Sequence, residues 1–119
     1  MEDNFNVDNP TKENIELAFK NLLFYVNAAI ELNIYSEYKQ SFEQVLAKIK
    51  DILYTYVNNE NLASISEDIL QDIKFNLIDL DVETKNLKSY FAEWSLVWLE
   101  AIISLRMSEI KMGGVNNES

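Results

Sequence analysis

Apolar residues recur every three or four positions through most of the chain, which is the period of α-helices laid on a core. Ile15, Phe19, Leu22, Val26, Ala29 and Ile30 share one face when turned about 100° per residue, predicting a first helix from Thr11 to Leu32. Asn9-Pro10-Thr11 offers its start, with a capping side chain followed by a proline whose missing N–H costs nothing there. Leu17, Phe24 and Ala28 lie opposite, so this helix is apolar over more than one stripe. A second helix, Ser36 to Val57, has the cleanest pattern. Tyr38, Phe42, Val45, Ile49, Ile52 and Tyr56 follow one another at spacings of 4, 3, 4, 3 and 4, flanked by Leu46 and Leu53. That seam has heptad spacing but is short enough for bundle packing.

Asn58-Asn59-Glu60-Asn61 reads as a loop. Beyond it, either Ser64 and Glu67 form a capping box, or Ser66 caps with Ile65 and Leu70 as a staple. The third helix then runs from Ser66 to Leu80 and buries Ile69, Leu70, Ile73, Leu77 and Leu80. Asp81 or Thr84 caps the fourth.

That fourth helix, Leu87 to Met112, is apolar on two opposite sides. Leu87, Tyr90, Phe91, Trp94, Trp98, Ala101, Ile102, Leu105 and Met112 fall on one, and Leu96, Leu99, Ile103, Met107 and Ile110 on the other. The Trp94/Trp98 side reads as core, each indole N–H finding a partner. A helix on the surface of a small domain needs only one apolar stripe. The second stripe is therefore interior to the monomer, a homodimer surface, or a surface for another protein. Gly113 reads as the helix stop, residues 113–119 as a flexible tail, and residues 1–9 as a loose segment in which Phe5 and Val7 are free to dock. Residues 10–112 form one domain. The expected fold is all-α, a single-domain antiparallel bundle of four main helices, or an array with the fourth helix at its centre.

Composition supports that reading and narrows the function. Among 119 residues there are only two glycines and one proline, too few helix breakers for anything but long helices. Cysteine is absent, which excludes disulfides and thiolate metal sites, and so is histidine, the commonest general base. No phosphate-binding loop or nucleophile elbow occurs. Neither a cofactor nor an enzymatic activity is expected. Glu93 and Glu100 share a side of the fourth helix, and a central position for that helix would bury one of them and raise its pKa. Net charge is −10, with a single arginine, Arg106, so direct nucleic-acid binding is not expected and a basic partner is. The polar, acidic start shows no secretory signal, and no apolar run approaches the length of a membrane span, so a cytoplasmic location is expected.

The acids are uneven. Asp51, Glu60, Glu67, Asp68, Asp72, Asp79, Asp81 and Glu83 face a single base, Lys74, in this part of the chain. Asp68, Asp72 and Asp79 run along one stripe of the third helix, with Phe75 at its edge and Glu83 a turn further on. Like charges four residues apart cost a helix a few tenths of a kcal/mol. The plain reading is a solvated face that keeps the protein soluble. The functional reading is a docking surface for a basic protein, anchored by Phe75. The expectation is a small acidic binding or inhibitory protein, immunity-, antitoxin- or phage-inhibitor-like in its manner of action. The alternative is a structural homodimer or assembly subunit held together by the first and fourth helices.

Overall fold

A computed structural model of the chain describes residues 5–32 and 36–117, leaving residues 1–4 of the expected loose segment and 118–119 of the expected tail outside the described residues. Four α-helices follow one another: α1 (Lys12–Leu32), α2 (Lys39–Asn59), α3 (Glu67–Lys85) and α4 (Phe91–Asn117). Short 3-10 turns at Ser36–Tyr38 and Leu62–Ser64 precede α2 and α3. No strand occurs among the described residues.

Capping explains where the helices begin. Thr11, not Asn9, caps α1: its Oγ1 accepts the Asn14 N–H at 3.1 Å. The Asn9 carbonyl is used differently, accepting from the Asn14 Nδ2 at 2.7 Å, while the same amide also donates to the Asn6 carbonyl. The buried Asn14 thereby ties the N-terminal segment to the bundle. Phe5 and Val7 dock on the bundle. Phe5 lies edge-on to Trp98 with ring centroids 5.3 Å apart, and the Ser108 hydroxyl donates to the Val7 carbonyl.

Ser66 caps α3, its Oγ accepting the Asp68 N–H at 3.1 Å; Ser64 forms no capping box and instead donates to the Asn61 carbonyl. α3 continues past the expected end at Leu80. Thr84 is buried, and its hydroxyl donates to the Leu80 carbonyl at 2.6 Å, so it and Asp81 are interior to α3 rather than caps for α4. The turn that follows closes on Lys88, held at φ 63°, with the Ser89 N–H returning to the Thr84 carbonyl. Gly113 does not stop α4: it has ordinary helical geometry, and the helix runs on to Asn117.

The helices pack as a ring in chain order, α1 on α2, α2 on α3, α3 on α4 and α4 back on α1. Each is antiparallel to its neighbours, as short connections require. α4 therefore takes a corner of the bundle, with α2 diagonally across, and not its centre. Its lower end is tied to the α2–α3 connection: the Arg106 Nε donates to the Ile65 carbonyl at 3.0 Å, and the Glu109 carboxylate accepts the Ala63 N–H at 2.8 Å.

The two apolar sides of α4 turn out to be shoulders of one broad face. The buried seam runs between them along Ala92, Ser95, Leu99 and Ile102, all fully inaccessible. Leu96 and Ile103 flank it towards α3, and Trp98, Ala101 and Leu105 flank it towards α1. Ser95 sits in this seam because its hydroxyl is satisfied within the helix by the Phe91 carbonyl at 2.7 Å. Small side chains at Ala92 and Ser95 on α4 and at Ala18 on α1 are wholly buried within the bundle.

Candidate protein-interaction surfaces

Two outward seams of the ring differ in chemistry, and each is built by a heptad-like register on two helices. The first joins α2 and α3. Asp68, Asp72, Asp79 and Glu83 of α3 are all exposed, as is Phe75, with 60% of its surface accessible. The structure thus keeps these five expected residues on one side of α3. Within the stripe, Asp72 is met by the Lys48 ammonium of α2 at 2.6 Å. At such exposure the pair adds only a few tenths of a kcal/mol, but it removes one of the four charges. Asp68, Asp79 and Glu83 have no ion-pair partner among the described residues. Asp79 and Glu83 line a shallow groove of about 210 Å³ with Ser41, Gln44 and Asn76, so the acidic surface extends onto the polar edge of α2.

The second seam joins α1 and α4, and it carries almost no charge. On α1, Leu17, Asn21, Phe24 and Ala28 recur at spacings of 4, 3 and 4; Tyr90, just before α4, and Trp94, Val97, Ala101, Ser104 and Ser108 within it continue the same rhythm. Phe24 is 61% exposed, Val97 56% and Trp94 46%, with Tyr90 and Leu17 also open. The rings form a chain of edge-to-face contacts across the seam. Phe24 meets Tyr25 at 5.1 Å, Tyr25 meets Trp94 at 5.1 Å, and Trp94 meets Phe91 at 5.9 Å. Trp94 is therefore not core, contrary to expectation, and Trp98 is only half-buried, beneath Phe5. The physical reason is that Leu99 and Ile102 fill the centre, which turns the tryptophans outward.

The other expected stripe is divided. Leu99 is wholly interior, Leu96 and Ile103 are half-buried shoulders, and Met107 and Ile110 are exposed. Ile103, Met107 and Ile110 line a groove of about 320 Å³ with Leu70 and Gln71, rimmed by Arg106 and Lys111.

Glu93 and Glu100 lie at the α3–α4 boundary rather than inside it. Lys85 meets Glu93 at 3.3 Å and Asp81 at 3.7 Å, and Lys74 meets Glu100 at 3.7 Å. The side-chain bond to Glu93 and the two neighbouring carboxylates raise the Lys85 pKa above the ordinary lysine value. At the opposite end of the bundle, Tyr56 is held above the usual phenol pKa, first by burial and then by Glu16, Glu109 and Glu60. Among the described residues no three acidic side chains converge as a metal site would require, and no helix is long and apolar enough to cross a membrane.

Comparison with protein-family models, with curated proteins and with solved structures gives no match to this chain. What defines the molecule is its architecture: an all-α bundle with one acidic and one aromatic outward seam.

The sequence reading missed Phe24, Trp94 and Val97 as surface residues. A signal for them was present. Leu17–Asn21–Phe24–Ala28 and Tyr90–Trp94–Val97–Ala101 each form an uncharged stripe at heptad spacing, separate from the main core stripe of their helix.

Proposed function

We propose that the protein acts by binding another protein, presenting its acidic α2–α3 face to a basic partner surface, and not by catalysis. The observation that carries this reading is the continuous exposed row of Asp68, Asp72, Asp79 and Glu83, which Lys48 relieves at one position only. Charge steers the encounter and Phe75, exposed beside the row, supplies the apolar anchor that steering alone lacks. Occupying a partner's basic surface is how an immunity protein, an antitoxin or a phage-encoded inhibitor works, and the small, strongly acidic bundle suits such a role.

The reading is tested with poly-L-lysine as a basic probe and two charge-matched triple variants. Asp68→Asn, Asp72→Asn and Asp79→Asn together remove three charges from the face; Glu13→Gln, Glu31→Gln and Glu43→Gln remove three elsewhere. At a few tenths to one kcal/mol per contact, the first set weakens binding about tenfold and flattens its salt dependence. The second changes affinity about twofold or less. Equal losses from the two sets would show that only net charge matters and that no face is selected.

A further inference from the structure

We propose that the aromatic α1–α4 seam is the interface of a homodimer, covered by the same seam of a second copy about a two-fold axis. The proposal stands on a different face from the acidic surface and does not depend on it.

Area is the first argument. The five open apolar side chains of the seam, Leu17, Phe24, Tyr90, Trp94 and Val97, together leave roughly 450 Å² accessible, within the range of the largest patch on a soluble protein, which is often a functional one. Two copies give about 900 Å² of apolar surface, so an interface of the ~1,200 Å² at which stable complexes begin also covers polar residues at the rim.

Charge decides which occupant fits. Each chain carries −10, so a second copy is an acceptable partner only where the acids are absent. The residues of the two stripes named above include no ionisable side chain other than the Tyr90 phenol; on α1 the exposed Glu13 and Glu31 stand at the two ends of the stripe, and Lys20 lies beside Leu17 and Phe24. The nearest acids of α4, Glu93 and Glu100, are each met by a lysine of α3. The exposed acidic row lies on the opposite side of the ring. The bundle measures 52 × 33 × 22 Å, so pairing through α1–α4 keeps the two acidic faces two bundle widths apart. That is several times the ~8 Å over which exposed charges interact at physiological salt.

Register is the third argument. Stripes at spacings of 4, 3 and 4 on two adjacent antiparallel helices are self-complementary under a two-fold rotation, which a C2 dimer requires. The large, outward rings of Phe24 and Trp94 stand beside the small Ala28 of α1, an arrangement that supplies knobs and room beside them.

The test is sedimentation equilibrium of the full chain, beside Val97→Lys and Phe24→Glu, with helicity followed by circular dichroism. Both changes are at outward positions, so the bundle keeps its helicity. Wild type at 50 µM is expected at twice 13.9 kDa and both variants at 13.9 kDa. Indole fluorescence of wild type shifts to the red on dilution as Trp94 becomes exposed. A monomeric wild type overturns the proposal and assigns the seam to a different partner. Helical variants that remain dimeric overturn it as well, by placing the interface elsewhere.

Discussion

The α2–α3 and α1–α4 seams lie on opposite sides of one ring of helices, yet one is acidic and the other is aromatic and uncharged. On the first, each helix has one main apolar stripe, as for α2 with Phe42, Val45, Ile49, Ile52 and Tyr56 inside, and the large exposed apolar residues outside it, Tyr54, Val57, Phe75 and Val82, form no second stripe along the length of either helix. On the second, both helices carry a further stripe outside the core stripe. The comparison teaches that apolar content does not by itself locate a core. Leu99 and Trp94 are both large and apolar on the same helix, and the first is fully buried while nearly half of the second is open. What distinguishes them is position relative to α1 and α3, which a single helix's pattern does not contain.

The largest effect that sharpens this contrast comes from α4. Leu99→Ala is expected to cost about 3 kcal/mol through lost burial and a residual cavity, whereas Met107→Ala, at an exposed site, costs under about 1 kcal/mol. Urea denaturation reads both, and comparable losses would mean that the stripe shared by these two residues is not split between core and surface.

A gain of about 1 kcal/mol is expected from Lys88→Gly, because a side chain at φ 63° carries a cost that glycine avoids. The change lies in the α3–α4 turn, outside both seams, so it raises the denaturation midpoint without altering probe binding or mass. A fall in stability would contradict the turn geometry.

The smallest effect appears at high pH. Burial and three carboxylates hold the folded-state pKa of Tyr56 above its unfolded value of 10.0. Its contribution to stability is therefore complete below pH 10 and is lost as pH rises through the raised folded value. Lys85 behaves likewise above its unfolded value of 10.5. In Tyr56→Phe the alkaline fall in stability is shallower and begins later. An unchanged profile would remove Tyr56 as its source.

The legible parts of the fold were those governed by local chemistry. The core stripes of α2 and α3 follow from spacing, Ser66 caps where its position demands, and short polar connections dictate the antiparallel ring. The errors arose where tertiary contacts prevail. Thr84 stays inside α3 because burial and its bond to Leu80 outweigh its capping tendency. Asn14, polar in sequence, is buried because two carbonyls of the N-terminal segment receive its amide. Ala92 and Ser95 escaped notice as core because neither is strongly hydrophobic, yet both are wholly buried. The acidic row was readable because it lies on one helix. The aromatic seam was readable only in part: the second apolar stripe of the first and fourth helices showed in the spacing, but which rings meet emerges only once Phe24 and Trp94 are placed on either flank of Tyr25.

The central claim is that the two seams serve separate purposes, and crossing their variants in one sedimentation-equilibrium experiment tests it most directly. Asp68→Asn/Asp72→Asn/Asp79→Asn and Val97→Lys are compared at 50 µM. Separate seams predict twice 13.9 kDa for the acidic-face variant and 13.9 kDa for Val97→Lys. A monomeric acidic-face variant, or equal masses for the two, would contradict the separation.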